Sequence, residues 1–324
     1  MYNAGRWIAA CLNSIRRQEL ESWECLLIDD GSTDDTLARA WEFHRRDARF
    51  RVLRQDRLGI VAALDHGLRA AEAPLIARMD ADDLMAPSRL RLQRDRMMKD
   101  DDLSLLGTHV RFFPRDRLRD GNRRYEAWLN TLESDADIRA QAYIECPIAH
   151  PTWMARRRVL NMLRWRETSW AEDYDLLLRL LQAGHRAAVL PRPLHAWRLS
   201  DNRTSQVDER YALSAFQHCR AHYLASGPLA ASTDYVLWGF GSTGRHLFQA
   251  LKPHGRRPRW IVDVHPGRMG QRIHGATVIP HHTLSHIERL PIIVSVAGRT
   301  PRRRIRNALN AMGFAEGIDF WFAA

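Results

Sequence analysis

The sequence predicts an α/β protein in two unequal parts. Short apolar runs alternate with segments of helical periodicity, several of the runs end on acidic or glycine-rich turns, and a break at Ser226-Gly227-Pro228 separates two such series. With 324 residues, 45% of them apolar, the chain has enough material for two buried cores.

The first series opens on a Tyr2-Asn3-Ala4-Gly5 turn, after which Ile8, Cys11, Leu12 and Ile15 recur at helical spacing. The apolar run Glu24–Ile28 stops at Asp29-Asp30-Gly31-Ser32, where Ser32 or Thr33 can cap a helix through Leu37 and Trp41. A strand at Phe50–Leu53, a helix from Gly59 to Ala71 and a strand at Leu75–Met79 follow. This β-α-β-α-β order predicts a mostly parallel sheet with helices on both faces and ligands beyond the carboxyl ends of the strands. Both acidic clusters fall there: Asp29-Asp30 and Asp80-Ala81-Asp82-Asp83.

Asp208 to Ala225 reads as a helix. The second series begins near Ser232, with a strand at Tyr235–Trp238, a turn Gly239-x-Gly241-x-x-Gly244, a helix start at Arg245–Leu251 and strands at Trp260–Asp263 and Ile292–Val296. The expected division is a domain over residues 1–205, a helical linker over 206–231 and a smaller domain over 232–324.

Composition narrows the function classes. There is no run of about 18 apolar residues to cross a bilayer and no charged-then-apolar start, so a cytoplasmic location is expected. Cys11, Cys25, Cys146 and Cys219 are scattered without metal or disulfide spacing. The formal charge is +11, but lysine occurs only at positions 99 and 252, and no helix-turn-helix, zinc-finger or aromatic-basic pattern accompanies the arginines. Specific nucleic-acid binding is not expected. An arginine-rich surface touching the inner face of the membrane, or a phosphorylated acceptor, fits the charge better.

Three carboxylates within four residues at a strand end repel one another unless a cation or several donors compensate. Hard divalent ions such as Mn²⁺ or Mg²⁺ take oxygen ligands and commonly bridge one or two carboxylates to substrate phosphates. Asp80 and Asp82 are the candidate metal ligands.

The ordered set MYNAG, LLIDDGSTDDT, GIVAALDHGL, ARMDADDLMAPSRL, CPIAHPTWM and AEDYDLLLRL resembles the family 2 glycosyltransferases, inverting enzymes of the GT-A fold, from residue 1 to about 200. The resemblance implies a nucleotide-sugar donor, a divalent cation and a glycan or lipid-linked acceptor. It places Tyr2 and Asn3 at the start of the nucleotide pocket, Asp30 at the base or ribose, and Asp80 and Asp82 at the ribose and the metal-bound diphosphate. It makes Asp173 the base that deprotonates the acceptor hydroxyl, with Glu172 as the alternative, sets His150 on the acceptor side, and brings Arg198 towards the diphosphate. A carboxylate at the head of a helix over Tyr174–Ala183 suits the base, because a helix N-terminus favours negative charge. In this family an apolar strand precedes the Tyr-Asn turn. None precedes it here, so a start upstream of Met1 is expected.

A competing reading comes from the second series. Gly239, Gly241 and Gly244 lie between a strand and a helix, and Asp263 follows nineteen residues after Gly244, which matches the dinucleotide-binding fingerprint. With GRMGQRIHGATVIP at Gly267–Pro280, the segment resembles the small Rossmann-like domains appended to some sugar-modifying enzymes. An accessory role in acceptor binding or assembly is the expectation. A dinucleotide-dependent oxidoreductase is the alternative, and a non-catalytic membrane-surface scaffold the third.

Overall fold

The computed structural model describes residues 1–199 and 208–324. The helices are α1 Gly5–Arg16, α2 Thr36–Arg46, α3 Ile60–Ala70, α4 Arg89–Met98, α5 Asp120–Leu129, α6 Asp135–Gln141, α7 Arg157–Leu163, α8 Glu172–Gln182, α9 Leu213–Ser226, α10 Ser242–Leu251 and α11 Arg299–Ala311. The strands are β1 Cys25–Asp30, β2 Phe50–Gln55, β3 Leu75–Ala77, β4 Leu84–Met85, β5 Leu103–Phe113, β6 Met154–Arg156, β7 Arg186–Arg198, β8 Asp234–Trp238, β9 Arg257–Val262, β10 Arg272–Ile273, β11 Ala276–Ile279, β12 Ile292–Val294 and β13 Phe320–Phe322. The described residues form two compact units. One holds Met1–Ile138, Pro147–Thr168 and Glu172 to Leu199; the other holds Arg139–Cys146, Ser169–Ala171 and Asp208–Ala324. The expected boundary at 205/206 lies outside the described residues.

In the first unit β1 and β2 pair in parallel as a two-stranded sheet, and β3-β6-β5-β7-β4 form a five-stranded one. The α/β class is as expected, but the larger sheet is mixed in direction: β5 and β7 run parallel, while β3–β6, β6–β5 and β7–β4 are antiparallel. The run Leu75–Met79 does not continue as a strand to its end. Arg78 donates its backbone N–H to Trp153 O at 2.8 Å, and the chain then turns into the acidic segment. β5 is buried on both faces from Leu103 to Val110, as a central strand covered by helices must be.

Local chemistry at the start of the chain explains why α1 begins where it does. Its orphan donors are served from the β1–α2 loop, Ala4 N by Thr36 Oγ1 at 2.7 Å and Gly5 N by Asp34 Oδ2 at 2.9 Å. A Cβ at Gly5 would lie 1.8 Å from Asp35 Oδ1 and 2.8 Å from Asp34 Oδ2, so a larger residue there would have to displace these carboxylates. Backbone bonds from Met1 N to Ile28 O and from Asp30 N to Met1 O lay Met1 alongside β1.

The second unit carries a six-stranded sheet in the order β10-β11-β9-β8-β12-β13, parallel except for the β10–β11 hairpin. The glycine turn after β8 has the backbone its spacing suggests. Gly239 has φ +94°, and a Cβ on Gly244 would sit 2.2 Å from Gly239 O, which lets α10 pack tightly on the strand end. Among the described residues no helix is long and apolar enough to cross a membrane.

Candidate active site

The acidic turn between β3 and β4 treats its carboxylates unequally. Asp83 is 1% exposed, whereas Asp80 and Asp82 are half-buried. Asp80 Oδ1 pairs with Arg78 Nη1 at 2.7 Å. Burial opposes the charge of Arg78, but the Asp80 carboxylate outweighs it and raises the guanidinium above its ordinary value. An arginine inside the apolar run LIARMD is costly unless paired; the pairing is with the first acid of the turn. Arg198, the last residue of β7, donates Nε to Asp82 O at 2.6 Å, and its guanidinium lies over the rings of Trp7 and Phe113 at 3.9 and 4.4 Å. Burial lowers the pKa of Arg198.

Asp83 is held from both sides. Its Oδ1 accepts Arg198 N at 2.7 Å and its Oδ2 lies 2.8 Å from His195 Nε2. Behind His195 stands Arg89, fully buried, with Nη1 3.1 Å from His195 Nδ1. Burial pulls the pKa of Arg89 down to about 10, which leaves it charged at neutral pH. Arg89 Nε donates to Gln93 Oε1 and Nη2 to Arg78 O, and Gln93 Nε2 donates to Leu106 O and Thr152 O. Sequence reasoning singled out none of Arg78, Arg89, Gln93 or His195.

His150 and Glu172 meet in the interior of the first unit. His150 Nδ1 is 3.7 Å from Glu172 Oε1, too long for a hydrogen bond, and His150 Nε2 is buried with no partner among the described residues. Burial, then the neighbouring charge of Arg78, push His150 well below the usual histidine range. The ring is therefore neutral and the contact is not an ion pair. The linkage has a definite sign. The unfolded chain takes up a proton near pH 6.5 that folded His150 refuses until lower pH, so its stabilising contribution is full above about pH 6.5 and is lost as pH falls below it. Wild-type protein should lose melting temperature more steeply between pH 7 and 5 than His150→Gln; parallel curves would contradict a neutral buried imidazole. Asp173, next along α8, is partly exposed, and its Oδ1 accepts Tyr174 N at 2.7 Å.

Tyr2 and Asn3 sit beside the end of β1. Tyr2 is 42% exposed with Arg57 over its ring, and Asn3, at φ +45°, accepts Thr33 N on Oδ1 at 2.9 Å while its own N–H reaches Ser32 Oγ. Asp30 is 5% exposed and ties down the loop before α3: Oδ1 accepts Gln55 Nε2 and Leu58 N, and Oδ2 accepts Gly59 N at 3.0 Å. In the second unit, Gly241 caps α10 with no neighbour within 4 Å of where a Cβ would stand. Asp263 follows β9 and binds Arg268 Nη1 at 2.8 Å and the N–H groups of Val264 and His265, which occupy the carboxylate that the fingerprint would direct at a ribose.

No three His, Cys, Asp or Glu side chains among the described residues converge to enclose a metal ion. A cation held jointly with a diphosphate needs only one or two protein carboxylates. The half-buried Asp80 and Asp82 fit that role, and the buried, doubly bonded Asp83 does not.

The family model described as Glycosyl transferase family 2 matches residues 1–163. An uncharacterized glycosyltransferase of Haemophilus influenzae is 29% identical over 213 residues, 64% of this chain and 65% of that protein, so the chain spans just under two thirds of that relative. The putative glycosyltransferase EpsE of Bacillus subtilis is 30% identical over 230 residues, covering 68% of this chain and 80% of EpsE. In fold, the chain is similar to S. aureus TarS 1–349 in complex with UDP-GlcNAc, with a TM-score of 0.55 and 16% identity over 78% of this chain and 69% of that one. It is also similar to the mannosyltransferase PcManGT of Pyrobaculum calidifontis in complex with GDP-Man and Mn²⁺, with a TM-score of 0.51 and 18% identity over 79% and 70%. With half of its length matched by the family model and EpsE related across most of its own length, the chain belongs to glycosyltransferase family 2.

Proposed function

We propose that the chain transfers a sugar from a nucleoside diphosphate donor, UDP-linked, to a surface-polysaccharide or lipid-linked glycan acceptor, with inversion at the sugar carbon. The observation that carries this reading is the acidic turn of a family 2 chain, with two half-buried carboxylates beside Arg198 and a third locked beneath them. Asp82, with Asp80, would hold Mn²⁺ or Mg²⁺. When bound, such an ion supplies Lewis-acid stabilisation of the departing diphosphate. The chain's own groups do the rest. Arg198 adds positive charge for the leaving group. Tyr2, Asn3 and Asp30 shape the nucleotide end, and Asp173 takes the proton from the acceptor hydroxyl, with Glu172 in reserve. His150, neutral and buried, belongs to the acceptor side. TarS in complex with UDP-GlcNAc and PcManGT with GDP-Man and Mn²⁺ support a nucleotide-sugar donor and a divalent ion.

Residues 1–205 form the transferase domain in this reading, 206–231 a helical linker, and 232–324 an accessory domain for acceptor binding or assembly. Membrane contact is peripheral, through arginine-rich surface, and the site of action is the cytoplasmic face. The glycine turn at Gly239, Gly241 and Gly244 favours a second reading, dinucleotide binding, which the Arg268 bond to Asp263 weakens.

Thermal melts against UDP, GDP and NAD(H), each with and without Mn²⁺, separate these. UDP should stabilise the protein only with metal, by about 2.7 kcal/mol at a hundredfold excess over its Kd. Stabilisation by NAD(H) without metal, with UDP inert, would move the working site to the second unit.

A further inference from the structure

The polar cluster buried beneath the acidic turn is too costly to be filler. Arg89, Gln93 and His195 are each 0% exposed and Asp83 is 1% exposed, yet all four are polar. An apolar set of the same volume would hold this part of the unit at no desolvation cost. The hydrogen bonds show what the polar set does instead. Arginine has only donors, so His195 Nδ1, 3.1 Å from Arg89 Nη1, must accept. That fixes the tautomer: the proton sits on Nε2 and is donated to Asp83 Oδ2 at 2.8 Å. Arg89 is itself oriented by Gln93, which is anchored to the carbonyls of Leu106 and Thr152. The chain of bonds thus runs from the central strand through α4 and β7 into the acidic turn.

Beyond Asp83 the connection closes on itself. The other oxygen of Asp83 accepts the backbone N–H of Arg198 at 2.7 Å, and the side chain of Arg198 donates back to the carbonyl of Asp82 at 2.6 Å. Asp83 holds the Arg198 backbone and Arg198 holds the Asp82 backbone. This reciprocal lock sets the spacing between the turn and the end of β7.

We infer that His195 is a positioning residue: with its tautomer set by Arg89, it holds Asp83 as a strut that locks Arg198 to the turn carrying Asp80 and Asp82. The inference rests on the proposed function for its catalytic consequence and on geometry alone for its structural one. A loosened turn lowers the share of molecules whose turn is set to take the cation and diphosphate, a cost that saturating cation and donor offset, so the strut shows in the metal constant and KM more than in kcat.

Two near-isosteric variants divide the roles of the ring. His195→Gln places an amide N–H near the position of Nε2 and can still donate to Asp83. His195→Asn places its amide near Nδ1 and cannot. Backbone hydrogen exchange of the segment Leu194–Leu199 is read in the ligand-free protein, and the Mn²⁺ activation constant, donor KM and kcat are read in the transfer assay. In His195→Asn, the loss of one hydrogen bond to a charged group should speed exchange at Arg198 and raise the metal constant and donor KM by about tenfold or more, with kcat within about threefold. His195→Gln should stay within about threefold of wild type throughout. If Asn does not fold, Asp83→Asn, whose amide N–H must face either the His195 or the Arg198 donor, takes its place with the same expectation. Equal exchange and equal constants in the Gln and Asn variants would overturn the inference, leaving His195 as core filling. A wild-type protein that shows the exchange pattern but no metal-linked nucleotide response would sink the proposed function and leave the lock standing.

Discussion

Asp82→Ala should reduce kcat by about a thousandfold, about 4 kcal/mol of transition-state stabilisation, and abolish the metal-dependent stabilisation by UDP. The reasoning starts from the turn. Asp83 is buried and held by His195 and Arg198, which leaves the half-buried pair Asp80 and Asp82 for the metal, and Asp80 also balances the charge of Arg78. The substitution keeps one tie of this residue to the rest of the unit, because Arg198 Nε donates to the Asp82 backbone carbonyl, which alanine retains. A ligand-free melt checks that the variant stays folded, with a stability change inside the range of about 0.5–3 kcal/mol of ordinary single substitutions. Melting curves with and without UDP and Mn²⁺, together with steady-state rates, check both halves. A variant that keeps its metal-linked shift would remove Asp82 from the metal site.

The elements that the sequence made legible are those whose signal is local. Glu24–Ile28 and Gly59–Ala71 read as a strand and a helix because apolar spacing within a few residues decides them, and β1 and α3 lie there within two residues at each end. The glycine turn after β8 was equally visible, because Gly239 and Gly244 meet constraints set by their immediate neighbours. What stayed hidden depends on partners far along the chain. β3 and β6 are three residues each, too short for a period to announce that they pair antiparallel. The α4 sequence RLRLQRDRMM looks like a solvated basic face, yet Arg89 and Gln93 point inward, because their partners lie on the β3 turn, β5 and β7. The acids of the site were legible as types in a pattern. That Asp83 is a strut, and that Asp30 pins the loop before α3, are facts of burial and bonding that no pattern states.

Asp173→Asn should lower kcat by about 10²- to 10⁴-fold while leaving donor KM and the UDP–Mn²⁺ thermal shift unchanged. Both Glu172 and Asp173 begin α8, but the helix treats them differently: Glu172 is 1% exposed and faces His150, whereas Asp173 is partly exposed and accepts the backbone N–H of Tyr174. A base must meet an acceptor hydroxyl arriving from outside, and the more accessible carboxylate can. Asparagine keeps the oxygen that accepts Tyr174 N, so the start of α8 should survive and the loss can be read as chemistry. Glu172→Gln is the counter-experiment. If it removes transfer with donor binding intact while Asp173→Asn stays active, the base is Glu172, and the acceptor hydroxyl must then approach through the buried space that Glu172 shares with His150.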